Sequence, residues 1–159
     1  MVTLGSAVKD MVSGVEGIAV GRTEWLYGCT RITVEQTKPG KDGTPNDLEC
    51  FDEQRVEVTK EGKVPHTPAE PCDITLGSKV KDTVTGFTGM AVAKTVWLHG
   101  TVSIGIEPTT LHEGKPIQAH EFNVKRVALI ETAKPPMSKA ADPKAPGGPQ
   151  KDPSYKKVR

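Results

Sequence analysis

Four histidines, three cysteines, two tryptophans and a set of paired glycines are the residues of this chain whose types could do chemistry. His66, His99, His112 and His120 are scattered, with no H-x-x-x-H or C-x-x-C spacing to assemble a zinc-type ligand set. Glu49, Asp52 and Glu53 cluster, but no nucleophile, base and orienting group stand around them, so they read as a solvated loop and strand face. Gly14/Gly17 and Gly86/Gly89 imitate phosphate-cradling glycines. They lack the Lys-Ser/Thr partner and a strand-to-helix context, so they read as turn glycines. No catalytic residue, metal ligand or cofactor is expected, and the chain is read as non-enzymatic.

Binding chemistry is better represented. Trp25 and Trp97 recur at a spacing of 72 residues in a chain that is only 4% aromatic. A large ring there fills a core or an inter-repeat contact, or serves as a recognition platform. Tyr27 and His99 follow two positions later and share the tryptophan's face if the strand continues. These four residues are the candidate interaction surface, suited to stacking or to proline-rich segments. Cys29 and Cys50 are both replaced in the second copy, by Thr101 and Glu121, as a pair specific to the first copy would be. Neighbouring thiols and a disulfide both fit, and Cys72 is then left over, exposed and able to bond another chain. Synthesis in the cytoplasm opposes a disulfide, whereas an oxidising medium permits one later.

The elements that position these residues come from a duplication. TLGSAVKDMVSGVEGIAVGRTEWLYG at residues 3–28 aligns with TLGSKVKDTVTGFTGMAVAKTVWLHG at residues 75–100, and 18 of 33 positions are identical when the match is carried to Glu35 and Glu107. After one gap, Phe51, Arg55 and Val56 match Phe122, Arg126 and Val127 at an offset of 71. Val8, Asp10 and Val12 alternate with Lys9 and Met11, a period-two pattern repeated at Val80, Asp82 and Val84. Further strands are expected through 18–26 and 90–98 and around Ile32 and Ile104, and a last hairpin or arch is expected to end in 51–58 and 122–130, with Gly-containing turns between. The fold class is all-β. Four or five short strands per copy avoid open edges by closing, so two tandem small barrels are expected at 1–58 and 74–131. A proline-rich semi-rigid linker (59–73) and an extended basic tail (132–159) complete the chain.

Net charge is +1, which argues against binding of nucleic acid by the whole surface. From Lys134 onward seven basic residues face only two acidic ones, leaving 14 basic and 18 acidic in the rest. Lys151, Lys156, Lys157 and Arg159 of this arm are candidates for contact with an acidic partner surface. No run approaches the ~18 apolar residues of a membrane span, and Lys9 and Asp10 interrupt any apolar leader, so no membrane partner is expected.

The opening GSxVxDxVTGFxGxAV of the second copy resembles SH3-like barrels of the KOW type. The longer pattern, from VKDxVTGFTG through WLxG to FDxxR, resembles small uncharacterised proteins of tailed bacteriophages and prophages. The first copy departs from it with Val15-Glu16 for Phe87-Thr88, and the second has Thr101 where the pattern has a cysteine. The resemblance implies a structural or accessory component of a phage particle, a capsid decoration, neck or tail protein made in the host cytoplasm and carried in the virion. Its partners would be other virion proteins and copies of itself. A KOW-like nucleic-acid- or ribosome-associated module is the alternative, as is an early phage protein that binds a host defence factor.

Overall fold

The computed structural model describes residues 1–133, in which the helical pieces are two 3-10 turns. The first copy supplies β1 (Ala7–Asp10), β2 (Glu16–Trp25), β3 (Arg31–Glu35), β4 (Glu49–Asp52) and β5 (Val56–Lys60). The second supplies β6 (Lys79–Asp82), β7 (Thr88–Trp97), β8 (Val102–Glu107), β9 (Leu111–His112), β10 (Lys115–Pro116), β11 (His120–Asn123) and β12 (Val127–Glu131). Pairing is antiparallel throughout, in the order β5-β1-β2-β3-β4 and, for the second copy, β12-β6-β7-β8-β11. A 3-10 turn, Glu53–Arg55 or Val124–Arg126, precedes the last strand of each copy, within the stretches expected to end a hairpin or arch. In the second copy β9 and β10 form a separate hairpin, and Glu113 (φ 49°) and Gly114 (φ 74°) take the two positive-φ places of its tight turn.

The alternation in β1 and β6 buries an aspartate beside a valine. Val8 and Asp10 point inward, as do Val80 and Asp82. A buried carboxylate needs partners, and the repeated motif provides them. Asp10 accepts the backbone N–H of Ser13 at 2.6 Å and its hydroxyl at 2.7 Å, and takes Arg55 in a bidentate pair at 3.0 and 2.7 Å. Asp82 does the same with Thr85 and with Arg126, the latter at 2.6 and 2.8 Å. Each guanidinium also lies over the phenylalanine four residues before it, 5.5 Å from the Phe51 ring and 5.3 Å from Phe122. One Asp-Arg-Phe set thus ties the first turn of each copy to the 3-10 turn before its last strand.

Two cores follow, one of Val2, Val8, Ala19, Ile32, Val34 and Phe51, the other of Ile74, Val80, Ala91, Ile104 and Ile106. A third cluster lies between the copies, where Leu98 packs on Ile18 and Val20.

The expected closure of each copy into its own barrel is not found. Among the described residues no strand pair joins β4 to β5 or β11 to β12, and ten strands form one sheet through a β2–β7 pairing. The reason lies in strand length. β2 is ten residues long, but β1 covers only Glu16 to Ile18 of one edge, and β6 likewise covers only part of β7. The spare halves would leave backbone groups unpaired, and pairing them with each other satisfies both.

The register of that pairing is two-fold. Gly21 faces Trp97, Thr23 faces Thr95 and Trp25 faces Ala93, so each residue meets the repeat counterpart of its own mirror position. The axis passes between Thr23 and Thr95, whose buried hydroxyls are 2.9 Å apart. On either side Leu26 N–H donates to Val92 O and Leu98 N–H to Val20 O, both at 2.8 Å. The arrangement is an isologous dimer interface contained in one chain.

Thr23→Val or Thr95→Val alone strands one buried hydroxyl and should cost about 1–3 kcal/mol. The double variant should cost clearly less than the sum, as urea denaturation of the four proteins will measure. The arginines hold the carboxyls of Asp10 and Asp82 well below the usual carboxylate range, with the Ser13 and Thr85 bonds adding to that against the opposing effect of burial. A depressed folded-state value gives stability that is complete above the ordinary carboxylate pKa of about 4 and is lost as pH falls below it. Thermal melts should therefore be flat from pH 7 to 5 and fall steadily below about pH 4. An Asp10→Asn/Asp82→Asn variant should melt lower at pH 7 and show a shallower acid decline.

Candidate functional site

β2 ends at Trp25 and β7 at Trp97, so Tyr27 and His99 lie in the turns that follow and not on a continuing strand face. The two tryptophans occupy equivalent places with unequal surroundings. Trp97 faces Gly21, and a Cβ at that glycine would lie 3.1 Å from the indole carbons, so the missing side chain is what admits the ring. Its Nε1–H donates to Ser103 Oγ at 3.3 Å. Trp25 faces Ala93, which carries the methyl that Gly21 lacks, and its indole is 41% exposed. Arg31, at the position of Ser103, places its guanidinium 6.0 Å from the Trp25 ring centroid.

A cleft of about 470 Å³ opens at Trp25, with Tyr27, Cys29 and Arg31 on one wall and Val92, Glu107 and Ala119 of the other copy opposite. Its two-fold mate, about 350 Å³, lies between Trp97, His99 and Thr101 on one side and Val20, Glu35 and Leu48 on the other. Six wall residues of each cleft correspond through the repeat, so both clefts are products of the β2–β7 pairing and neither is complete in one copy. The differences favour the Trp25 cleft as a contact site. Ala119 stands where the larger Leu48 lines the mate, Tyr27 (88% exposed) replaces His99, and Arg31 replaces Ser103.

Arg31 is held in place. Its Nε donates to Asp52 Oδ1 at 3.1 Å, and the Cys29 thiol donates to the same oxygen at 3.1 Å. These two donors keep the Asp52 carboxyl below its ordinary range, the thiol contributing most, and the ion pair raises Arg31. The cleft therefore presents an aromatic pair beside an arginine fixed by its ion pair with Asp52. Large amphipathic rings and arginine are the side chains that carry most binding energy at protein interfaces.

Tyr27 and His99 fall into separate clefts, whereas both tryptophans also line a third cavity, of about 200 Å³, with Thr23 and Thr95. Trp25 and Tyr27 share one cleft, and Trp97 and His99 share the other. Cys29, Cys50 and Cys72 are all free thiols. Cys29 is engaged with Asp52, Cys50 is exposed on β4 opposite Thr33, and Cys72 is half-buried against the Ile74 core, not in open solvent as the linker composition suggested. Lys151, Lys156, Lys157 and Arg159 lie outside the described residues. Among the described residues no three His, Cys, Asp or Glu side chains converge as a metal site. Arg31, Glu107 and Ala119 were not singled out from sequence. The Arg31/Ser103 difference was visible in the alignment, but the cross-copy wall was not.

In single-tryptophan variants, Trp97→Phe should leave a red-shifted emission from Trp25 that acrylamide quenches readily, and Trp25→Phe a bluer, better protected one from Trp97. Trp97→Ala should cost about 2–4 kcal/mol and Trp25→Ala under about 1 kcal/mol in urea denaturation. Comparison of the chain with protein-family models, curated proteins and solved structures finds no match.

Proposed function

We propose that this chain is a non-enzymatic docking protein, built from two SH3-like units and serving as a structural or accessory component of a bacteriophage particle. The observation that carries the docking reading is a division of labour among the side chains. Residues repeated in both copies serve architecture: Asp10/Asp82 with their arginines, Phe51/Phe122, and the Thr23/Thr95 pair on the axis. Three of the fifteen positions that differ among the 33 aligned ones line the Trp25 cleft, where Tyr27, Cys29 and Arg31 replace His99, Thr101 and Ser103. Divergence of one copy from the other at an exposed aromatic cleft fits a contact surface for another protein. The five-strand order of each copy, with a 3-10 turn before its last strand, supports the SH3-like reading. The phage setting rests on the VKDxVTGFTG, WLxG and FDxxR pattern of the sequence. Partners are then neighbouring virion proteins, met by the Trp25 cleft and by the basic arm.

Quantitative mass spectrometry of purified particles tests this reading. The chain should be present at a fixed ratio to the major capsid or tail protein. Tyr27→Ala and Arg31→Ala should each lower incorporation at least about tenfold, the effect of ~1.4 kcal/mol lost from a contact. Both variants should fold normally, and His99→Ala should incorporate as the unmodified chain does. Absence from particles, or equal effects of the Tyr27 and His99 changes, would contradict the proposal.

A further inference from the structure

The segment between the copies shows what kind of chain this sheet holds. Val64, Thr67 and Glu70 donate their N–H groups to Gly5 O, Leu98 O and Gly100 O at 2.9, 3.0 and 2.8 Å. Donors recur every third residue, and each precedes a proline, namely Pro65, Pro68 and Pro71. Three residues per turn is the polyproline II period, which puts the donors on one side, and a proline keeps the residue before it extended. The Val64 side chain packs with Ile18, Val20 and Leu98, and Glu70 pairs with Lys125 at 2.6 Å. An anchoring valine and a row of backbone donors at proline spacing therefore describe the occupant of this groove.

The two-fold axis turns that groove onto a second one, in which Gly77, Leu26 and Gly28 take the places of Gly5, Leu98 and Gly100. Among the described residues no backbone N–H is bonded to Gly77 O, Leu26 O or Gly28 O. Gly5, Leu98 and Gly100 are buried, whereas Gly77 and Leu26 are half-buried and Gly28 is exposed. A Cβ on Gly5 would be 2.0 Å from Val64 O, while the nearest atom to one on Gly77 would be 3.5 Å away. A cavity of about 300 Å³ opens beside Gly77 and Met90, the counterparts of Gly5 and Ile18, which flank Val64. The far end differs from its mate. Gly28 is also a wall of the Trp25 cleft, so the groove runs into the cleft that holds the exposed Tyr27 ring. Lys125 is matched by Gln54, so no acidic residue is called for at the Glu70 place.

The linker is engaged in its own groove, and the chain that follows the second copy does not reproduce it. Gly62 N–H donates to Ser6 Oγ at 3.4 Å, and Ala133 N–H makes the matching bond to Ser78 Oγ at 2.9 Å. Val64 stands two residues beyond Gly62, but Pro135 stands two beyond Ala133 and has no N–H to give to Gly77 O in that register.

We propose that the groove from Gly77 through Leu26 to Gly28 takes a proline-rich segment of a partner protein. The segment carries an aliphatic residue and two others at three-residue intervals, each followed by proline. Its aliphatic side chain enters the cavity beside Met90, and its three N–H groups are donated to Gly77 O, Leu26 O and Gly28 O. Because it rests on the docking reading, this assignment gives the partner of the Trp25 cleft a chemical class. A polyproline II segment is already extended, so little conformational freedom is lost when it docks.

A synthetic peptide copying residues 62–71, GKVPHTPAEP, titrated into the isotope-labelled full chain tests the proposal by NMR. The amide signals of Leu26, Gly28, Gly77 and Met90 should shift and saturate at one peptide per chain, while those of Gly5, Leu98 and Gly100 stay in place. A peptide N-methylated at the threonine that copies Thr67 loses the donor to Leu26 O and should bind about tenfold more weakly. Absence of saturable shifts would overturn the proposal, whether the groove is unsuited or is held by the molecule's own chain. So would shifts at Gly5, Leu98 and Gly100, the mark of a peptide displacing the linker, or unchanged affinity after N-methylation. No particle enters the titration, so its failure would leave the dependence of incorporation on Tyr27 and Arg31 standing. Absence of the chain from particles would in turn leave the peptide result intact.

Discussion

Ten-residue strands packed beside four-residue neighbours leave half an edge each of β2 and β7 without hydrogen-bond partners. In a chain that is only 35% hydrophobic, those bare edges would be both an energetic cost and an invitation to pair with other molecules. Pairing them with each other removes both problems and determines much else. It sets the Thr23–Thr95 axis, buries Leu98 between the copies and lays Trp97 over Gly21. Each copy contributes about 60 residues, near the lower limit at which a domain buries enough surface to stand alone. The shared sheet lets the two small cores support one another.

The same pairing explains where function can reside. Side chains inside each copy are committed to the Asp-Arg-Phe tie and the two cores, and they are nearly invariant between copies. The junction alone has walls from both copies, and there the two-fold is broken. An alanine opposite one tryptophan and a glycine opposite the other leave one ring seated and the other 41% exposed. The linker breaks the symmetry again by lying in one groove, and among the described residues nothing fills its mate.

Much of the fold was legible in the sequence. The duplication, the all-β character and most strand positions follow from period-two alternation and turn glycines. The burial of Asp10 and Asp82 was not, because alternation says which positions face inward and not which inward polar group has partners. Arg55 and Arg126 lie 45 and 44 residues away in the chain. The 3-10 turns before β5 and β12 were not legible, because Phe51 to Val58 and Phe122 to Ile130 keep a strand-like composition throughout. Barrel closure was expected because local pattern shows how many edges exist, not which edges meet. The site was half legible for the same reason. Trp25 and Tyr27 stood out by type, whereas Val92, Glu107 and Ala119 join them only through a pairing between residues about 70 positions apart.

The central claim is that the β2–β7 ladder makes two repeats one cooperative structure, and native-state hydrogen exchange in low denaturant tests it most directly. The amides of Leu26 and Leu98, which cross the axis, should exchange only through global unfolding, with the same free energy as core amides such as Ile32 and Ile104. Exchange of Leu26 and Leu98 through a lower-energy opening that leaves both cores protected would show two separable domains and contradict the account.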